Sequence, residues 1–122
     1  MLDNELHQAT LEFARALRHA PAVSAYRAAT EALDADPDAQ ALLAVVREQQ
    51  STLVRLQEEG KSPTQAQIDA FRQSQAAIRE SETIMASLRT TNEVKAFLPA
   101  VARYVTRSLG FDYAQLVAPQ SC

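Results

Sequence analysis

The 122-residue chain has no tryptophan, two glycines, two histidines and a single cysteine, Cys122, at its last position. One thiol excludes an internal disulfide framework and a multi-cysteine metal site. Phosphate-cradling loops need several glycines leading into a helix. Here Gly60 stands alone before Lys61, Ser62 and Pro63, so nucleotide hydrolysis drops out. His7 and His19 are too far apart along one helical stretch to share a one-turn site, and Asp3 with His7 would hold only one side of a metal. Surface histidines and no resident metal or other cofactor are expected. The longest apolar runs, such as Ala41 to Val46, are far too short to span a bilayer. No charged-then-apolar leader opens the sequence, so a cytoplasmic protein is expected. Excess positive charge is missing too. A formal charge of -3 and a pI near 5.3 argue against a surface built for the phosphate backbone.

What the sequence does have is alanine, roughly a fifth of its residues, and apolar positions at three- and four-residue spacing. Both favour close-packed helices, and a chain of this length buries roughly two-thirds of its unfolded surface in one core. Helix-scale periodicity runs from about Asp3, a capping residue, to His19, with Leu2, Leu6, Ala9, Phe13, Ala16 and Leu17 on one face. Leu11 lies opposite. Pro21 suits the first turn of a second helix, whose inner side carries Val23, Tyr26, Ala29, Thr30 and Leu33. Asp36-Pro37 repeats the device for a third helix striped by Leu42, Val46, Gln49, Leu53 and Leu56, with Leu43 and Val54 widening its arc.

Gly60 fits the left-handed position past that helix, and Ser62-Pro63-Thr64-Gln65 fits a capping box opened by Ser62. The fourth helix should then run to about residue 89. Ile68, Phe71, Ile78 and Met85 form its stripe, with Ala66, Ala70, Ala77, Ile84 and Leu88 as a shoulder. A link this short forces an antiparallel pair, so residues 38 to 89 read as one hairpin with arms of about 35 Å. Gln49, Gln75 and Glu82 fall inside the apolar arcs, where polar groups either fix register or reach water at the rim. Thr90, Thr91 or Asn92 would cap a fifth helix faced by Val94, Phe97, Leu98, Val101, Tyr104, Val105 and Leu109. Pro99 should kink or split that helix and Gly110 end it. The expected fold is all-α: about five helices in an antiparallel up-and-down bundle built around the hairpin. One domain should span 1–110, with 111–122 as a tail.

No nucleophile, base and orienting group can be named together, which argues against an enzyme. Glu58-Glu59 and Asp36-Asp38 read as solvated helix ends. Arg72 with Arg79, and Arg103 with Arg107, share faces of their helices and offer an RNA-backbone reading. Neighbouring carboxylates such as Asp69 and Glu58 favour an intermixed charged surface instead. Apolar arcs covering about half of two adjacent long helices call for a partner surface. Leu53, Leu56, Ile84 and Leu88 are the candidate outer contacts of a dimer or a dimer of dimers.

Tyr26-Arg27-Ala28-Ala29 through Leu33, Asp36-Pro37-Asp38-Ala39-Gln40 with Leu42-Leu43, the Gln-rich helix ending at Gly60, and Asn92-Glu93-Val94 with Phe97-Leu98 carry a family resemblance. From Leu6 to Gly110 the chain resembles the YlbF/YmcA-like group of small helical bacterial proteins. It departs from the pattern at Ala20, where relatives place a Ser, at Val45 or Val46, where an aromatic is common, and at Pro99. The resemblance implies a non-enzymatic adaptor or regulator that contacts itself and other proteins, in RNA processing, competence, sporulation or biofilm control. Some relatives carry cysteine-rich tails and join an iron-sulfur-binding complex. Cys122 alone cannot supply that ligand set, so the cluster is not carried over to this chain.

Overall fold

A computed structural model describes residues 3–117; Leu2 and Cys122 lie outside the described residues. All regular structure among those residues is helical: α1 (Asn4–His19), α2 (Pro21–Asp34), α3 (Pro37–Glu58), α4 (Gln65–Glu80), α5 (Glu82–Leu109) and the short α6 (Tyr113–Val117). The all-α class follows the apolar spacing directly. Two compact units emerge, one of Arg27–Leu88 and another joining the chain up to Tyr26 with the chain from Arg89 onward.

Side chains written into the sequence set most helix starts. The Asp3 carboxylate accepts the Leu6 N–H at 2.7 Å and opens α1. Ala20 is extended, at φ -62 and ψ 136, because the residue before a proline is pushed out of the helical region; α2 begins at Pro21. Asp36 accepts from the Ala39 N–H at 3.1 Å with Pro37 in the first turn of α3. One turn in, the Gln40 amide donates to the Leu33 carbonyl at 3.0 Å and so caps the end of α2. Gly60 has φ 71 and ends α3: its N–H reaches the Gln57 carbonyl at 3.1 Å, and the Lys61 N–H reaches Leu56 at 2.8 Å. That pair of bonds is the Schellman closure, which a Cβ at Gly60 would strain.

Three expectations need correction. The capping box belongs to Thr64 and Gln67, two residues after the expected Ser62. The Thr64 hydroxyl accepts the Gln67 N–H at 3.1 Å, and Gln67 Oε1 accepts the Thr64 N–H at 2.8 Å. This register also sets Pro63 just before the cap and Ile68 four residues after it, both half-buried, the positions of an apolar staple. A Ser62 cap would have put Lys61 and Ala66 there.

The second correction concerns the hairpin's returning arm, which ends at Glu80 instead of near residue 89. Ser81 is extended at ψ 107, and its hydroxyl accepts the Ile84 N–H at 3.3 Å, with the acidic Glu82 at the start of the new helix. The arms are therefore unequal: 22 residues of α3, about 33 Å, face 16 residues of α4, about 24 Å. Helix α5, thirdly, runs unbroken through Thr90, Thr91, Asn92 and Pro99. A split at Pro99 would leave Leu98 as the cap, and leucine has no side-chain acceptor for the freed N–H groups.

Within Arg27–Leu88, α3 and α4 pack against each other. Ala29, Ala39, Val46 and Ile84 are buried there, together with Ser74, whose hydroxyl donates to the Ala70 carbonyl at 3.1 Å. Leu42, Leu43, Leu53, Leu56, Ile68, Phe71 and Ile78 are half-buried. In the other unit no residue of α1 is buried: Leu6 and Phe13 of the expected inner face are exposed and Leu17 is half-buried, while Leu11, expected opposite, is exposed. Tyr26, expected on an inner face, is exposed as well. Asp112 opens α6 by accepting the Gln115 N–H at 3.1 Å, so part of the expected tail is helical.

Candidate interaction site

Two features of the Arg27–Leu88 unit stand out: its apolar positions left to solvent and a hollow between α3 and α4. A helix that buries one line of side chains leaves the positions about a quarter-turn to either side at the rim. On α3 the buried line runs through Ala39 and Val46. Val45 and Val54 flank it on opposite sides and are 49% and 53% exposed.

The candidate outer contacts separate. Leu88 is 51% exposed, and Leu53 and Leu56 are half-buried. Ile84 is 3% exposed and belongs to the chain's own core, contrary to its expected place on an outer shoulder. The extended residue at Ser81 resets the helical phase, so positions after it no longer continue the stripe of α4. Spacing alone could not place Ile84. The signal for the break was Ser81-Glu82, a capping residue followed by an acid.

The hollow has a volume of about 180 Å3 and is walled by Glu48, Gln49, Thr52 and Leu53 of α3 and by Gln67, Ala70 and Phe71 of α4. Gln49 Oε1 is buried and has no hydrogen-bond partner. The rim expectation thus fits Glu82, which is exposed, and fails for Gln49. Two other polar groups of the wall are engaged: the Thr52 hydroxyl donates to the Glu48 carbonyl at 3.0 Å, and Gln67 Oε1 serves the α4 cap.

Charged groups give no second constellation. Arg72, Arg79, Arg103 and Arg107 are exposed. Asp69 accepts from the Gln65 side chain at 2.9 Å rather than pairing with Arg72 as its spacing suggested. Arg103 and Arg107 line a broad hollow with Pro99 and Thr106, but Asp112 shares it and opposes an anion there. Among the described residues no three His, Cys, Asp or Glu side chains gather to hold a metal, and no helix is long and apolar enough to cross a membrane. The Ala39 backbone N–H and then the Thr83 hydroxyl hold the pKa of Asp36 below its ordinary value of 3.8.

Comparison with known proteins adds a family and a fold. A family model described as "Control of competence regulator ComK, YlbF/YmcA" matches residues 6–110. A solved structure, a protein of unknown function (DUF964) from Bacillus stearothermophilus, is 19% identical. The match covers 88% of this chain and 94% of that one with a TM-score of 0.54, a likeness of fold alone. Comparison with curated proteins finds no match.

Proposed function

Because the chain belongs to the YlbF/YmcA family over residues 6–110, we propose that it is a non-enzymatic regulatory adaptor acting through contact with itself and with other proteins. The family model describes control of the competence regulator ComK, which supports a regulatory role. The observation that carries the adaptor reading is the exposure of Val45, Val54 and Leu88 in a unit whose buried apolar side chains are Ala29, Ala39, Val46 and Ile84. Two of those four are alanines. Covering one large aliphatic side chain is worth about 1.5–3 kcal/mol, so partner surfaces over these positions, with Val45 and Val54 on opposite sides of α3, would add appreciably to a small core. A dimer or dimer of dimers is the symmetric outcome, with Leu53, Leu56 and Leu88 at or beside the contact. Its setting on this reading is the cytoplasm, in control of competence, RNA processing or biofilm formation.

Sedimentation of the full chain at micromolar concentration tests the proposal. The wild type is expected to be a dimer or larger, and Leu88→Asp to shift it toward monomer with its helical circular dichroism intact. A wild-type monomer that recovers no protein partner from cell extract would sink the reading. RNA binding through Arg72, Arg79, Arg103 and Arg107 makes a different forecast, an affinity that falls steeply with salt.

A further inference from the structure

The charges on the solvent face of α3 gather into no cluster, but their order along the helix is complementary to its own reverse. Arg47, Ser51, Val54 and Glu58 follow one another at steps of four, three and four residues, so they form one line along the helix, and all four are exposed. That line is basic at its start and acidic at its end, with Val54 between. Glu48 and Arg55, each one position after a member of the line, are exposed along one flank in the opposite order. Among the described residues none of Arg47, Glu48, Arg55 and Glu58 has an ion-pair partner, although Arg55 lies three residues before Glu58. Glu59 pairs with Lys61, at 3.2 Å.

We infer that this face docks against the same face of a second copy of the chain, the two α3 helices running antiparallel about a two-fold axis level with Thr52 and Leu53. In that register Arg47 meets Glu58 of the second copy and Glu58 meets its Arg47, while Ser51 and Val54 meet in the same reciprocal way. Along the flank, Glu48 comes near Arg55 of the copy and Arg55 near its Glu48. Other arrangements bring like charges together: a parallel copy sets Arg47 against Arg47, and an antiparallel copy centred on Ser51 sets Arg47 against Arg55. An unrelated partner would need this charge order by coincidence. A second copy has it by symmetry, and the two Val54 side chains then lie together at the axis inside a charged rim. The inference rests on the self-association proposed above and adds its geometry. One valine per copy is a small apolar area, so the charges fix orientation and register while other exposed apolar positions of the unit, Leu88 among them, add to the affinity.

Charge exchange between two full-length chains tests it by sedimentation. Arg47→Glu puts Glu against Glu58 of its copy, and Glu58→Arg puts Arg against Arg47, so each variant alone is expected to associate about tenfold more weakly than wild type with its helical circular dichroism intact. An equimolar mixture of the two restores opposite charges at both pairs and should recover wild-type association, as should the double variant by itself. Both positions are exposed, and should either variant still fail to fold, Glu48→Arg mixed with Arg55→Glu makes the same exchange on the flank. The inference is overturned if the single variants assemble like wild type, or if the mixture associates no better than its components. An oligomeric wild type that Leu88→Asp disperses and the charge variants leave unchanged overturns this inference alone, whereas a monomeric wild type overturns it together with the self-association on which it rests.

Discussion

Thr64 and Ser62 show how far a single side chain decides local structure. Both can accept a first-turn N–H, and both are followed three residues later by a glutamine. Thr64 prevails because its register also brings Pro63 and Ile68 to the staple positions, an advantage that requires both to be half-buried by the fold. Urea denaturation should therefore separate the two positions: Thr64→Ala is expected to cost about 1 kcal/mol, and Ser62→Ala less than about 0.5 kcal/mol. Equal effects would return the cap to Ser62. At Asp3, Asp36 and Gly60 the sequence was sufficient, since each cap or turn is set by residue type and by neighbours within one turn.

At the scale of elements, the junction of α3 with the start of α5 carries a pH dependence. Asp36 accepts from the Ala39 N–H and from the Thr83 hydroxyl, so its folded-state pKa is depressed below the usual carboxylate value. A depressed pKa means that the unfolded chain takes up the proton first. The contribution of Asp36 is then present above the ordinary pKa of 3.8 and is lost as pH falls below it, through the folded-state value. Asp36→Asn keeps a capping oxygen but cannot titrate, so its thermal midpoint should fall less than that of wild type between pH 5 and pH 3. Parallel curves would remove Asp36 from the account of acid stability. Pro99 makes a second element-scale case. It cannot donate to the Lys95 carbonyl, yet α5 continues through it. Pro99→Ala is therefore expected to stabilise the chain by about 1–3 kcal/mol in denaturant melts, and a destabilised variant would show that the tertiary setting needs the proline.

For the whole molecule, core and contact surface are close together on one segment. Ile84 at 3% exposure and Leu88 at 51% are one helical turn apart. Ile84→Ala should cost about 2–4 kcal/mol through a cavity, at any protein concentration. Leu88→Asp should instead abolish the rise of the thermal midpoint with concentration that self-association gives the wild type. A wild-type midpoint independent of concentration would contradict association. The sequence by itself determined the helical class, the caps at Asp3 and Asp36, the turn at Gly60 and the family, because these depend on residue type and on neighbours within a turn. Tertiary structure decided that the returning arm stops at Ser81, that Ile84 faces inward and that the Gln49 side-chain oxygen is buried. Those outcomes depend on helical phase and on atoms distant in sequence, and one extended residue rotates every side chain that follows it.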